Sequence, residues 1–186
     1  MNKKQFTVTF TLVFLMILLV FVQRFFDDKF KDIAIMNKDM GQFKEYYLDN
    51  GKYTFLLPDK WEMQELKVGE ADICKVEFKD KENNIIGYIE IGNANKNLSS
   101  LAQLDMDNMV LEHSKEIVEN YKSNNRKGIR TNYKTKVKKG YTFINDNYYI
   151  PLDDNVYGKV TFIVKEESYS DDINVIFKAI VNSLKS

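Results

Sequence analysis

The sequence predicts an α+β domain, an antiparallel β-sheet packed with helices, preceded by one N-terminal transmembrane helix. Three observations carry this. Phe6 to Val22 is an unbroken apolar run, the apolar residues begin to alternate at Tyr53, and Asp171 to Leu184 closes the chain with a wide apolar helical face. The division that follows is 1–24 as signal anchor, 25–50 as an amphipathic juxtamembrane helix and 51–186 as an extracytoplasmic domain.

Only Thr7, Thr9 and Thr11 interrupt the first run, and a hydroxyl in a helix can bond back to the preceding turn. At about 1.5 Å per residue the run spans roughly 25 Å, at the short end for one crossing. It must be helical, because lipid leaves backbone polar groups unsatisfied in any open conformation. A cleavable signal would end in small residues of A-x-A type, but Val22, Gln23, Arg24, Phe25 and Phe26 follow instead. A lipoprotein signal would need a cysteine just behind the run, and the chain's one cysteine is Cys74. Phe10 to Val13 is similar to the start of a type IV pilin, without that family's glycine and glutamate, so a minor pilin or other structural subunit stands as an alternative. Lys3 and Lys4 with the terminal amine favour a cytoplasmic tail, with Arg24, Lys29 and Lys31 opposing. The expected location is therefore the cell membrane, single-pass, with the bilayer itself as first partner.

The roughly 160 residues that follow suffice for one domain with its own core. Lys plus Arg and Asp plus Glu are 27 each, so charge gives no argument for a nucleic-acid partner. A single cysteine also excludes an intramolecular disulfide. Phe26, Phe30, Ile33, Met40, Phe43 and Tyr47 recur at helical spacing within Phe25 to Asn50, and Asn50 with Gly51 supplies a left-handed stop. Strands are expected over Tyr53 to Leu57, from Trp61, over Ile73 to Lys79 with Cys74, Val76 and Phe78 on one face, and over Ile85 to Ile91. Ser99 or Ser100 caps a long helix to about Asn124. Four further strands cover Ile129 to Val137, Tyr141 to Ile144, Tyr148 to Leu152 and Val156 to Lys165, with Asn145 to Asn147 and Asp153 to Asn155 as turns. Ser170, Asp171 and Asp172 open the closing helix, where acidic charge suits the positive end of the dipole.

Tyr53 to Pro58 followed by Trp61, then a hairpin, a long helix, a meander and a terminal helix ending at Val181 to Lys185, resembles the Mog1/PsbP-like fold family over roughly Asn50 to Ser186. The resemblance implies a non-enzymatic binding or accessory role, because members of that family are mainly of this kind. No functional residue carries over, since the matching positions, Trp61 among them, look structural.

Motifs for chemistry are scarce. One histidine, His113, excludes H-E-x-x-H, and one cysteine excludes C-x-x-C sites. P-loop, dinucleotide-binding and nucleophile-elbow patterns do not occur. No catalytic residue, metal or cofactor is expected; a hydrolase using His113 is the enzymatic alternative. The acids at Asp146, Asp153 and Asp154 lack calcium-loop spacing and read as turn residues. One stretch does stand out: Lys122 to Lys139 contains Arg126, Lys127, Arg130, Lys134, Lys136, Lys138 and Lys139 with no acid among them. Either it is an edge strand charged against aggregation, or it attracts an anionic envelope polymer, lipid headgroup or acidic protein partner.

Overall fold

The computed structural model describes residues 13–18, 43–69, 72–94, 96–114, 116–137 and 140–186. Contacts divide the chain into two units, Met1–Gly41 and Gln42–Ser186. In the first, residues 13–18 are helical with exposed apolar side chains; the rest of the span expected over Phe6 to Val22 lies outside the described residues. Among the described residues no helix is long and apolar enough to cross a membrane.

Among the described residues the second unit holds nine strands: β1 Phe43–Leu48, β2 Tyr53–Pro58, β3 Glu62–Leu66, β4 Asp72–Asp80, β5 Ile85–Asn93, β6 Ile117–Ser123, β7 Arg126–Lys136, β8 Thr142–Asp153 and β9 Val156–Lys165. Helix α1, Leu98–Asp107, lies between β5 and β6 in sequence, and α2, Asp171–Ser183, follows β9. Strands β1 and β2 form a separate hairpin; the other seven make one antiparallel sheet in the order β3-β4-β5-β9-β8-β7-β6.

Alternation explains the core. Val76 and Phe78 on β4, Ile85, Ile89 and Ile91 on β5, and Val160, Phe162 and Val164 on β9 are buried, as period-two patterning requires of one face of a sheet. Onto this face α2 brings Ile173, Ile176, Phe177, Ile180 and Val181, all buried, with Phe177 stacked on Phe162 at 3.8 Å between ring centroids. Trp61 is buried and stacks on Phe78 at 5.7 Å, a packing role as expected. The chain's end is tied to β2, where Thr54 and Lys185 exchange backbone hydrogen bonds and Ser183 Oγ accepts from Leu56 N. Ser170 caps α2 by accepting from Ile173 N.

Three expectations are corrected. Phe43–Leu48 is a strand, not the end of a helix: Tyr46 and Tyr47 pair with Phe55 and Thr54, and the positive φ of Asp49, Asn50 and Gly51 makes the hairpin turn. Residues 25–42 of that predicted helix lie outside the described residues. The long helix ends at Asp107, roughly five turns short of the expected end near Asn124, and its cap is Asn97, whose side chain accepts from Ser100 N. Ile117–Ser123, with β-branched and aromatic residues, pairs with β7 instead. Finally, Asn145 to Asn147 is no turn but the middle of a twelve-residue strand, β8.

Gly87 on β5 is the most closely approached of the described glycines. A Cβ there would lie 2.1 Å from Phe78 Cε2 and 2.9 Å from the carbonyl oxygen of Thr161. Gly87→Ala should therefore cost about 1–3 kcal/mol through overpacking, read as a lower urea midpoint with an unchanged slope; an unaltered midpoint would show that the Phe78 ring moves aside freely.

Candidate functional site

The fold divides the basic stretch. Strand β7 runs between β6 and β8, so it is an interior strand and not the charged edge that was one reading of it. Arg126 reaches the chain's end, donating to Leu184 O at 2.6 Å and Pro151 O at 3.4 Å. Arg130 donates through Nε and Nη2 to the two carboxylate oxygens of Asp146, at 2.7 and 2.9 Å, and through Nη1 to Glu119 at 2.8 Å. Lys134 pairs with Glu166. Lys127 and Lys136 are exposed and have no ion-pair partner among the described residues. Lys138 and Lys139 lie outside the described residues.

Asp146 is fully buried in the centre of β8. A carboxylate there is tolerable only if paired and hydrogen-bonded. Besides Arg130, the Tyr148 hydroxyl donates to its Oδ2 at 2.9 Å. The Arg130 guanidinium also lies over the Tyr148 ring at 5.4 Å, and the Tyr121 ring meets Tyr148 edge-on at 4.8 Å. The hydrogen bonds that Arg130 donates to Asp146 hold the Arg130 pKa above its ordinary value. Burial pushes Tyr121 up to about 12 and also raises Tyr148, where the Asp146 charge adds to the effect. This cluster is a charge-neutralising clamp between β7 and β8.

The opposite face of the same strands is polar. Asn147 donates to Thr131 Oγ1 at 3.2 Å and accepts from Thr161 Oγ1 at 2.9 Å, and Asn145 donates to Thr135 Oγ1 at 2.9 Å. Lys159 sits 2.7 Å from Asp105 on α1 and 3.5 Å from Glu90. Its burial opposes the charged form, but Glu90 and Asp105 outweigh it and raise the pKa. The Tyr149 hydroxyl donates to the same Asp105 at 2.7 Å, so one carboxylate docks α1 onto β8 and β9.

His113 does not sit in a helix as expected. It bridges to Thr135 beside β7, its Nδ1 lies 3.0 Å from Leu111 O, and Glu116 is 4.0 Å away. Cys74 is half-buried on β4 beside a concave space of about 460 Å³ that Tyr47, Asn50, Glu65 and Val68 also line. Burial, with Asp49, Glu65 and Asp72 adding negative charge, pushes its thiol up to about 11, which suits packing rather than reaction. Among the described residues no group of three or more His, Cys, Asp or Glu side chains is placed to hold a metal ion.

Sequence reading missed Asp146, Asn145 and Asn147 because they belong to the residue types that favour turns. The available signal was the period of two: Ile144, Asp146, Tyr148 and Ile150 alternate with Asn145, Asn147 and Tyr149 without a break.

An antiparallel sheet with a closing C-terminal helix on one face and a short helix on the other defines an α+β domain of one particular architecture. The structure is similar to that of cyanobacterial PsbP (CyanoP) from Synechocystis sp. PCC 6803, with a TM-score of 0.55 and 13% identity over 79% of this chain and 94% of that one. The chain thus has a PsbP-like fold. A protein of unknown function from Pseudomonas aeruginosa superposes with a TM-score of 0.39 and 12% identity over 69% of this chain and 86% of that one, too distant to bear on the fold. No protein-family model matches the chain, and no curated protein does.

Two predictions follow from the clusters. Asp146→Asn leaves Arg130 without its main counter-charge and should cost about 3 kcal/mol, the lower end for a broken buried pair because Glu119 remains; chemical denaturation measures it, and a loss well under 1 kcal/mol would refute the clamp. At mildly alkaline pH, below both thiol values, native Cys74 should alkylate about a hundredfold more slowly than in urea. Equal rates would show the thiol to be solvated.

Proposed function

We propose that this chain is a membrane-anchored, non-enzymatic accessory protein whose PsbP-like domain is extracytoplasmic and engages a protein partner or an anionic envelope component. The observation that carries the reading is the way the buried ionisable groups are used. Buried Asp146 is paired with Arg130, which also reaches the exposed Glu119, and the largely buried Lys159 is paired with Glu90 and the exposed Asp105, so these charge clusters hold strands and a helix together. Perturbed groups at a catalytic site would instead converge on an accessible space with a nucleophile or base in reach. The fold itself supports a binding role through the resemblance already drawn from Tyr53 to Pro58, Trp61 and the closing helix. The apolar run from Phe6 to Val22 supplies the anchor, and Lys3 and Lys4 favour a cytoplasmic tail.

Cell fractionation with in-cell crosslinking tests this. The full-length chain should pellet with membranes, resist extraction by salt and alkali, dissolve in detergent, and be shaved by protease added outside intact spheroplasts. Recovery in the soluble fraction, unprocessed and monodisperse without detergent, would overturn the anchor. A mature N-terminus near Phe6 or Phe10 by mass spectrometry would favour the minor-pilin alternative instead.

A further inference from the structure

The β6–β7 hairpin turns on Asn124 and Asn125, whose φ angles of 45° and 67° give the doubly left-handed conformation suited to a two-residue hairpin. Its tip is pinned to the end of α2. Asn124 Nδ2 donates to Asn182 O, and the Tyr121 hydroxyl donates to Asn182 Oδ1 at 3.1 Å. Arg126, the first residue after the turn, donates to Leu184 O at 2.6 Å.

On the other face of this fixed hairpin, Lys122 and Lys127 stand directly opposite one another in register. Such pairs place their Cβ atoms about 5 Å apart, and like charges so placed destabilise the strands. Neither ammonium has a carboxylate partner among the described residues, and both are exposed. Lys75, Lys79 and Lys159, on strands of the same sheet, each meet a carboxylate. Beside the pair lies a concave space of about 490 Å³ lined by Asn120, Tyr121, Lys122, Asn125 and Lys127. Two lysines and two asparagines thus line it, with no acid among the lining residues.

We propose that this is a binding site for a phosphate group, with Lys122 and Lys127 gripping its oxygens and Asn120 and Asn125 donating from their carboxamides. A carboxylate brings one charge and two oxygens; a phosphate offers more acceptor oxygens and, as a monoester, up to two charges, which is what a pair of opposed ammoniums can neutralise together. The site deepens the proposed function, resting on it only for where the phosphate comes from: a lipid headgroup or a soluble phosphate-bearing polymer.

The test uses the full-length chain in zwitterionic nanodiscs, titrated with inorganic phosphate and followed by backbone amide shifts and thermal unfolding. Shifts at Asn120, Lys122, Asn125 and Lys127 should saturate, and Tm should rise. The double variant Lys122→Gln/Lys127→Gln should bind at least about tenfold more weakly, yet melt no lower than the parent without phosphate, because the like-charge opposition is gone. Lys136→Gln, exposed and unpaired but off the site, should bind as the parent does. A response that does not saturate, or one unchanged in the double variant, overturns the site. Phosphatidylglycerol in the nanodisc shifting the same amides without added phosphate would identify a headgroup, whereas a soluble glycerol-phosphate oligomer acting alone would identify a polymer; either supports the site. A chain that binds phosphate but fractionates as soluble refutes the anchor and leaves this site standing, and a membrane-bound chain without saturable shifts does the reverse.

Discussion

The buried carboxylate of Asp146 constrains the rest of the sheet. Strand β8 lies between β7 and β9 and is buried from Ile144 to Ile150, so a charge at its centre must be answered from a neighbouring strand. Arg130 does so because β7 pairs Asn132 with Asp146 and Arg130 with Tyr148, placing the guanidinium one diagonal step away on the same face. A slip of one residue would send Arg130 to the opposite face and leave the carboxylate unpaired, at a cost of several kcal/mol. The ion pair therefore fixes which face of β7 carries Arg130, in the same sense as the period-two burial of the apolar side chains.

The second face enforces the same register by other means. Asn147 can satisfy its carboxamide only with Thr131 on one side and Thr161 on the other, and the register sets these three residues directly across from one another on β7, β8 and β9. Buried amides with fixed partners tolerate no shift, since each lost bond leaves a desolvated polar group. Asp105 then uses this polar face to seat α1, taking one hydrogen bond from Tyr149 and the charge of Lys159. The apolar face supplies the burial, while the polar groups on both faces supply specificity.

Legibility in the sequence followed the same distinction. Where burial is one-sided and apolar, period and caps were enough: β4, β5, β9 and α2 fall within a residue or two of their expected bounds, and the proline that ends β2 with the tryptophan after it pointed to the PsbP-like fold. Where an element is buried among polar groups, local composition misled, because Asn145, Asp146 and Asn147 favour turns until Arg130, Thr131, Thr135 and Thr161 give them partners from other strands. The segment after Asp107 failed for another reason. Leu111, Val118 and Tyr121 share a helical stripe by spacing, but Leu111 and Val118 are exposed, so the stripe did not describe a core at all. The basic stretch was visible as charge, but which lysines and arginines are free depends on partners distant in sequence.

Edge protection can now be assigned to the strands that form the edges. On β3 the exposed residues include Glu62, Gln64 and Glu65, and on β6 they include Glu119 and Lys122 beside the exposed Ile117 and Val118; charges there disfavour pairing with another chain. Strand β7 has neighbours on both sides, so its cations require separate explanations. Arg126 answers the carbonyls of Leu184 and Pro151, Arg130 answers Asp146, and Lys134 answers Glu166. A strand also sends successive side chains to opposite faces, so residues consecutive in a basic run do not share a surface. What concentrates positive charge at one place is cross-strand register, and that is why Lys127 is distinguished less by its sequence neighbours than by Lys122 across the hairpin.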